Sequence, residues 1–206
     1  MPRLLYADAD MVIVDKPANL LSVPGRGPDK QDCLWRRVQQ QFPTARIVHR
    51  LDYATSGVMV LALHPDSHRA LSIQFQERQT AKRYQAIVAG QPAEQSGEID
   101  LPLRCDWERR PRQMVDPVQG KAALTRWQRI EQTPLGTRLA LYPVTGRSHQ
   151  LRVHLMAIGH PIIGDQFYAT AAQQALSERL LLHAEFLGLY QPSSGQWCEF
   201  NSPCPF

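Results

Sequence analysis

The chain has 206 residues, 43% of them apolar, which suffices for one domain with a proper core. Neither a signal peptide nor a long apolar span is visible, so a secreted or membrane-spanning protein is not expected. The net charge of +4 allows an anionic partner without demanding one, and four cysteines without a Cys-x-x-Cys pair fit a reduced, cytoplasmic protein.

In chain order, Leu4 to Tyr6 and Met11 to Asp15 read as two short strands around a turn at Asp8-Ala9-Asp10. Residues 22–28 hold two prolines and two glycines and are expected to form a loop. Asp32 is placed to cap a helix that runs to about Phe42 and stops at Pro43. Val58 to Leu63 is an unbroken apolar run, ended by His64-Pro65, and reads as a buried strand. Pro65 then opens a helix whose apolar stripe is Ala70, Leu71 and Phe75. Lys82 to Val88 alternates as a strand does, and residues 91–98 read as loop. Leu101 to Trp107 and Ala122 to Ile130 are expected strands around a basic insertion, followed by a strand at Leu139 to Tyr142. Thr145-Gly146 turns the chain into a helix from about Ser148 to Ile158, with Gly159 as its C-terminal cap. Leu180 to Leu189 and Trp197 to Phe200 are the last strands. Strands outnumber helices, and most links are too short for parallel crossovers. The expected class is α+β: a mixed, largely antiparallel β-sheet with flanking helices, over residues 1–206 as a single domain.

Charge is concentrated in one stretch. Residues 101–130 carry seven Lys or Arg against three acids, a net +4, so the rest of the chain sums to zero. Trp107 and Trp127 lie in the same stretch, and positive charge interleaved with aromatics suits a phosphate backbone with exposed bases. A solvated surface hairpin would show the same charge. A metal site is not expected: His149 and His154 are five residues apart, about 140° around a helix, off the spacing of a zinc-binding helix.

Three segments carry polar residues that packing does not explain: His49-Arg50-Leu51-Asp52, Lys82-Arg83-Tyr84, and Thr145-Gly-Arg-Ser-His-Gln-Leu-Arg152. Asp52 leads into the buried run, and a carboxylate there must be paired or working. In the third segment Leu151, Leu155 and Ile158 mark a core-facing stripe, which leaves His149 and Arg152 on a neighbouring face. An arginine close to a loop carboxylate keeps it ionised, which suits a nucleophile or base and not a general acid.

The segment His49-Arg-Leu-Asp-Tyr-Ala-Thr-Ser-Gly57 resembles the signature of the RluA family of pseudouridine synthases. Asp15-Lys-Pro17, Lys82-Arg-Tyr84, Thr145 to His154, Gly159-His-Pro161, Gly164-Asp165 and Leu180 to Glu185 agree with it in order, from about residue 4 to the end. Residues 101–113 most resemble the dual-specificity branch, which modifies both 23S ribosomal RNA and the tRNA anticodon arm, and which lacks an S4-type RNA-binding domain. The resemblance implies the pseudouridine synthase catalytic fold, no cofactor, and isomerisation of uridine in structured RNA. It implies Asp52 as the catalytic aspartate, Arg152 as its salt-bridge partner, Tyr84 as the ring that stacks on the target base, and Arg50 as the residue that enters the space left by the flipped nucleotide. His49, Arg147 and His149 are assigned to RNA contacts. RNA is the expected partner, with no membrane, and nothing calls for more than a monomer.

Two other classes compete. A non-catalytic RNA-binding module or RNA chaperone would use the same basic stretch, but an ionised aspartate at the centre of an RNA site repels phosphate and helps only with chemistry. A kinase is suggested by His-Arg-Leu-Asp alone, and the Asn, Asp-Phe-Gly and Gly-rich loop it needs are absent in order.

Overall fold

A computed structural model of the chain describes residues 2–206. Its elements are β1 (Arg3–Ala7), β2 (Met11–Lys16), α1 (Leu34–Gln39), β3 (Arg46–Ile47), β4 (Ser56–Ala62), α2 (Pro65–Gln76), β5 (Ala81–Val88), β6 (Ser96–Asp100), β7 (Leu103–Cys105), β8 (Gln113–Val115), β9 (Leu124–Thr133), β10 (Gly136–Pro143), α3 (Gln150–Ala157), α4 (Ala171–Ala175), β11 (Leu182–Tyr190) and β12 (Trp197–Asn201). The class is α+β, with few helices and largely antiparallel pairing. No helix among the described residues is long and apolar enough to cross a membrane. The fold divides into two compact units, residues up to 82 with 183–205, and residues 83–182 with 206.

The first unit is built on β4, whose seven residues are all buried. β2 pairs with it antiparallel, from Met11 opposite Ala62 to Lys16 opposite Gly57. β1 extends the sheet antiparallel to β2, and β11 joins β4 in parallel. The β1–β2 turn is closed by the Asp8 carboxylate, which accepts the backbone N–H groups of Asp10 and Met11 at 2.8 Å each. Val58, Val60 and Ala62 point to one face of β4 and pack with Met11, Ile13, Leu187, Leu189 and Leu71 of α2. Each such side chain contributes about 1.5–3 kcal/mol by leaving water. β4 begins two residues before the apolar run because Gly57 crosses β11 closely. Its φ is 123°, and a Cβ there would lie 2.2 Å from the Ala184 carbonyl oxygen. α2 opens at Pro65 with a capping box: His64 accepts from the Ser67 N–H and Ser67 returns a bond to the His64 N–H.

The second unit carries a meander in which β10 pairs with β5 and β9, and β9 with β6, all antiparallel. β7 and β8 form a separate two-stranded hairpin. α3 packs beneath it, with Val153 against Leu103 and Ala123.

Three expectations need correction. Residues 96–100, placed mostly in a loop, form β6, an edge strand with Ile99 turned into the core. The strand expected over 101–107 is the short β7, and β9 starts at Leu124. Asp32 does not cap α1. It pairs with Arg37, and the helix starts after Cys33 and ends at Gln39. The first free N–H groups of α1 go instead to the carbonyls of Leu21 and Ser22, at 2.7 and 3.2 Å.

Candidate active site

In the first unit the chain between β3 and β4 is a short loop that presents Arg50, exposed, and Asp52, half-buried. Leu51 between them is buried. Loops of this kind owe water their backbone groups, so a buried one must find protein partners. Here it does on both sides of Asp52. Ser22 Oγ donates to the Leu51 carbonyl at 2.7 Å and accepts the Leu51 N–H at 3.1 Å. The Tyr53 carbonyl accepts from the Leu20 N–H and from the Lys16 ammonium, both at 3.2 Å. Lys16 is fully buried at the end of β2 and also donates to the carbonyls of Leu20, at 2.7 Å, and Pro17, at 2.9 Å. A buried cation persists only when its protons are taken up in this way. The Asp52 carbonyl accepts the Thr55 N–H, which closes the turn into β4.

His49 begins the same loop and faces inward. Its ring stacks on Phe75 with centroids 4.5 Å apart, and Nε2 accepts the Val60 N–H at 3.1 Å, so a neutral ring carries its proton on Nδ1. Burial, and secondarily the Lys82 ammonium, push its pKa down to about 3. His183 is satisfied too: Nε2 donates to the Ser202 carbonyl and Nδ1 takes the Ser56 hydroxyl.

In the second unit Tyr84 lies on β5 opposite Leu141 of β10, half-buried. The segment Thr145 to Arg152 forms a turn and the first residues of α3. The helix was expected to be amphipathic, yet Gln150 through Leu155 are all buried, polar residues included. Each buried polar group has partners. Gln150 Oε1 accepts from the Thr145 hydroxyl and the Arg147 N–H, and Nε2 donates to the Leu124 carbonyl and Thr125 Oγ1. His154 Nε2 donates to the Leu101 carbonyl, which leaves Nδ1 to accept from the Thr125 hydroxyl. Burial holds the His154 ring below the usual imidazole range. Arg152 makes a bidentate pair with Asp165 at 2.7 Å on both arms, each side chain almost wholly buried. Its guanidinium also lies 5.2 Å from the ring centroids of Phe167 and Tyr168.

His149 precedes α3 in a left-handed conformation, φ 53°, and its Nδ1 lies 2.7 Å from the Tyr168 hydroxyl. Tyr168 therefore gathers His149 and Arg152 around one phenol. That hydroxyl also accepts the Gln113 N–H at the start of β8, which fastens the basic hairpin to the same group. Arg147 is exposed and donates to the Ala122 carbonyl.

Of the residues singled out in the sequence, His49, Arg50 and Asp52 thus share one loop of the first unit. Tyr84, Arg147, His149 and Arg152 belong to the second. Phe167 and Tyr168 lie outside the recognised motifs, and Asp165, part of the Gly164-Asp165 match, was given no role. A physical signal for Asp165 was its place one residue past the apolar pair Ile162-Ile163, where an acid needs a cation.

The family model for RNA pseudouridylate synthase matches residues 10–157, a span that includes residues of both units. The chain belongs to the RNA pseudouridylate synthase family. It is 48% identical, over 98% of its length and 93% of the relative's, to the dual-specificity RNA pseudouridine synthase RluA of Escherichia coli strain K12. The enzyme of the same name from Yersinia pestis is 50% identical, over 98% of this chain and 99% of that one. Among solved structures, human RNA pseudouridylate synthase domain containing 1 superposes with a TM-score of 0.84 at 29% identity, covering all of this chain and 84% of that one. Human RNA pseudouridylate synthase domain containing 4 gives 0.75 at 26% identity, over 98% and 88%. This decides between the enzyme and the non-catalytic binding module: the synthase is an isomerase that acts on RNA.

Proposed function

We propose that this synthase converts uridine to pseudouridine in two RNA classes, 23S ribosomal RNA and the tRNA anticodon arm, with Asp52 as the catalytic carboxylate. The observation that carries the reading is the Asp52 loop. It matches the family signature, Asp52 in it is half-buried, and its backbone is fixed on both sides by buried donors. Near full-length identity to enzymes named as dual-specific supports two substrate classes.

The reaction breaks the N1–C1′ bond, turns the uracil and rejoins it through C5. No redox change and no external group is involved. The target base must leave its stack first, at a cost of a few kcal/mol, and stacking on an aromatic returns roughly 1–3 kcal/mol. Tyr84 is assigned to that stacking and exposed Arg50 to filling the vacated place in the RNA. Asp52 then attacks C1′, or removes the C2′ proton to give a glycal, and the family resemblance assigns Arg152 as its salt-bridge partner. His149 and Arg147 are assigned to RNA contacts, Arg147 on its exposure. The inward-facing His49 supports its loop and is not needed at the RNA surface.

The basic hairpin supplies grip. Trp107 at its tip is 65% exposed and carries the Arg110 guanidinium 5.0 Å over its ring, a pair suited to a base and its phosphate. The reading carries with it a cytoplasmic location, where both proposed RNA classes are found, and it requires no second copy of the chain.

The test is to incubate the purified protein with 23S RNA fragments and with tRNA transcripts, and to map pseudouridine by carbodiimide-dependent reverse-transcription stops. Stops are expected in both classes, and none with Asp52→Asn at unchanged RNA affinity. Modification of one class alone would overturn the dual reading. Isomerisation by Asp52→Asn would overturn the role of the aspartate.

A further inference from the structure

We infer that Ser22 is a positioning residue for Asp52, acting through the peptide group that joins Leu51 to Asp52. The inference rests on the reading of Asp52 as the catalytic carboxylate.

One hydroxyl engages both faces of Leu51. Its proton goes to the Leu51 carbonyl at 2.7 Å, and its lone pair takes the Leu51 N–H at 3.1 Å. The carbonyl of residue 51 and the N–H of residue 52 belong to the same rigid plane. Fixing the direction of that carbonyl fixes the plane from which the Asp52 Cα hangs, and with it the origin of the carboxylate. β3 is two residues long and ends before this point, so no sheet ladder sets the plane. On the far side the Asp52 carbonyl closes the turn to the Thr55 N–H.

Ser22 is itself fixed from behind. It is 4% exposed, although it opens a loop of prolines and glycines whose side chains would ordinarily face water. α1 has no side-chain cap, since Cys33 makes no capping bond, and its first two N–H groups bind the carbonyls of Leu21 and Ser22. Leu21 also forms a bridge with Cys33. The Met59 sulfur, on β4, lies 3.6 Å from the hydroxyl. The constraint therefore runs from the start of α1, through Ser22, to Leu51 and Asp52, and it spans 29 residues of sequence at its longest step. A misplacement of about 1 Å at a reacting group costs on the order of 100-fold in rate. That is the scale on which an unanchored peptide plane would act.

The experiment is steady-state kinetics of Ser22→Ala and Ser22→Cys on a tRNA transcript. It is run where circular dichroism shows each protein fully folded, with Asp52→Asn alongside. Ser22→Ala is expected to lower kcat by about 10- to 100-fold with KM within about twofold. Ser22→Cys keeps the size but hydrogen-bonds weakly, and it is expected to fall between Ala and the parent. Should Ser22→Ala fail to fold, Ser22→Cys decides on the same measure. An unchanged kcat in the folded variant, with or without a lower melting temperature, would make the hydroxyl merely structural and overturn the inference. So would a raised KM at constant kcat, which would mean an effect on RNA binding. Activity in Asp52→Asn would instead overturn the underlying assignment of the aspartate, and the two failures read out separately.

Discussion

The loop that carries Asp52 and the hairpin β7–β8 are both short, polar and rich in arginine or its partners, but they are held in opposite ways. The loop is fixed by buried groups, Ser22 and Lys16, that spend their hydrogen bonds on its backbone. The hairpin is rooted on α3 through Leu103, but its tip, residues 106–112, is held by groups that face solvent on one side: Arg109, paired with the buried Asp106 at 2.8 Å, and Arg110 over the exposed Trp107 ring. Chemistry demands one position of one carboxylate, whereas holding a polyanion demands charge within reach and tolerates movement. Mutations in the loop should therefore change turnover or stability, and mutations in the hairpin should change affinity and its salt dependence.

The largest expected effect is Asp52→Asn, a loss on the order of 10²–10⁴-fold or more in turnover with RNA binding kept, read by pseudouridine mapping and filter binding. Lys16→Met comes next. It strips a donor from three carbonyls; that of Tyr53 keeps the Leu20 N–H, and the other two cost about 1–3 kcal/mol each when left unpaired, so denaturant unfolding should show a loss of roughly 2 kcal/mol or more. A shift within 0.5 kcal/mol, the usual range for surface changes, would erase the distinction between the two regions. Arg110→Glu with Arg112→Glu should leave stability and kcat in place but weaken RNA binding and flatten its log–log salt slope by about one per arginine. Arg109, already paired with Asp106, should contribute less. An unchanged slope would remove the hairpin from the RNA footprint.

Near neutral pH the smallest effect is that of His49. Folded His49 resists protonation until about pH 3, while in the unfolded chain it titrates near 6.5. The unfolded state thus binds the extra proton between those values, so stability is full above pH 6.5 and falls as pH drops toward 3. The slope from this group is at most about 1.4 kcal/mol per pH unit. His49→Gln should flatten unfolding free energy against pH in that window. An unaltered slope would show that the loop does not hold His49 neutral.

The sequence made some of this legible for physical reasons. The run from Val58 to Leu63 can only be buried, and it is the centre of its sheet. Pro65 fixes the start of α2 by its own stereochemistry. β6 escaped notice because only Ile99 is buried there. The strand exists through its pairing with β9, and the Trp127 ring lies flush on Gly97, about 3.0 Å from where a Cβ would be. The segment around Asp52 was visible as a motif, but what holds it was not. Ser22 meets Leu51 across 29 residues, and Lys16 meets Tyr53 across 37. Nor could helical periodicity show that Arg152 and His154 point inward, because their partners are 13 to 53 residues away.

The burial of α3 on all sides also bears on how this enzyme can change. Gln150, Arg152 and His154 each answer to a particular distant group, so a lone substitution at any of them strands its partner. Adaptation along α3 must proceed by matched pairs, which are rare, and the helix is in effect frozen. At the tip of the hairpin, Arg110 and Arg112 lie over aromatic rings and answer to no buried polar group, so they can be exchanged one at a time. New RNA preferences should arise there first, long before the chemistry itself is touched.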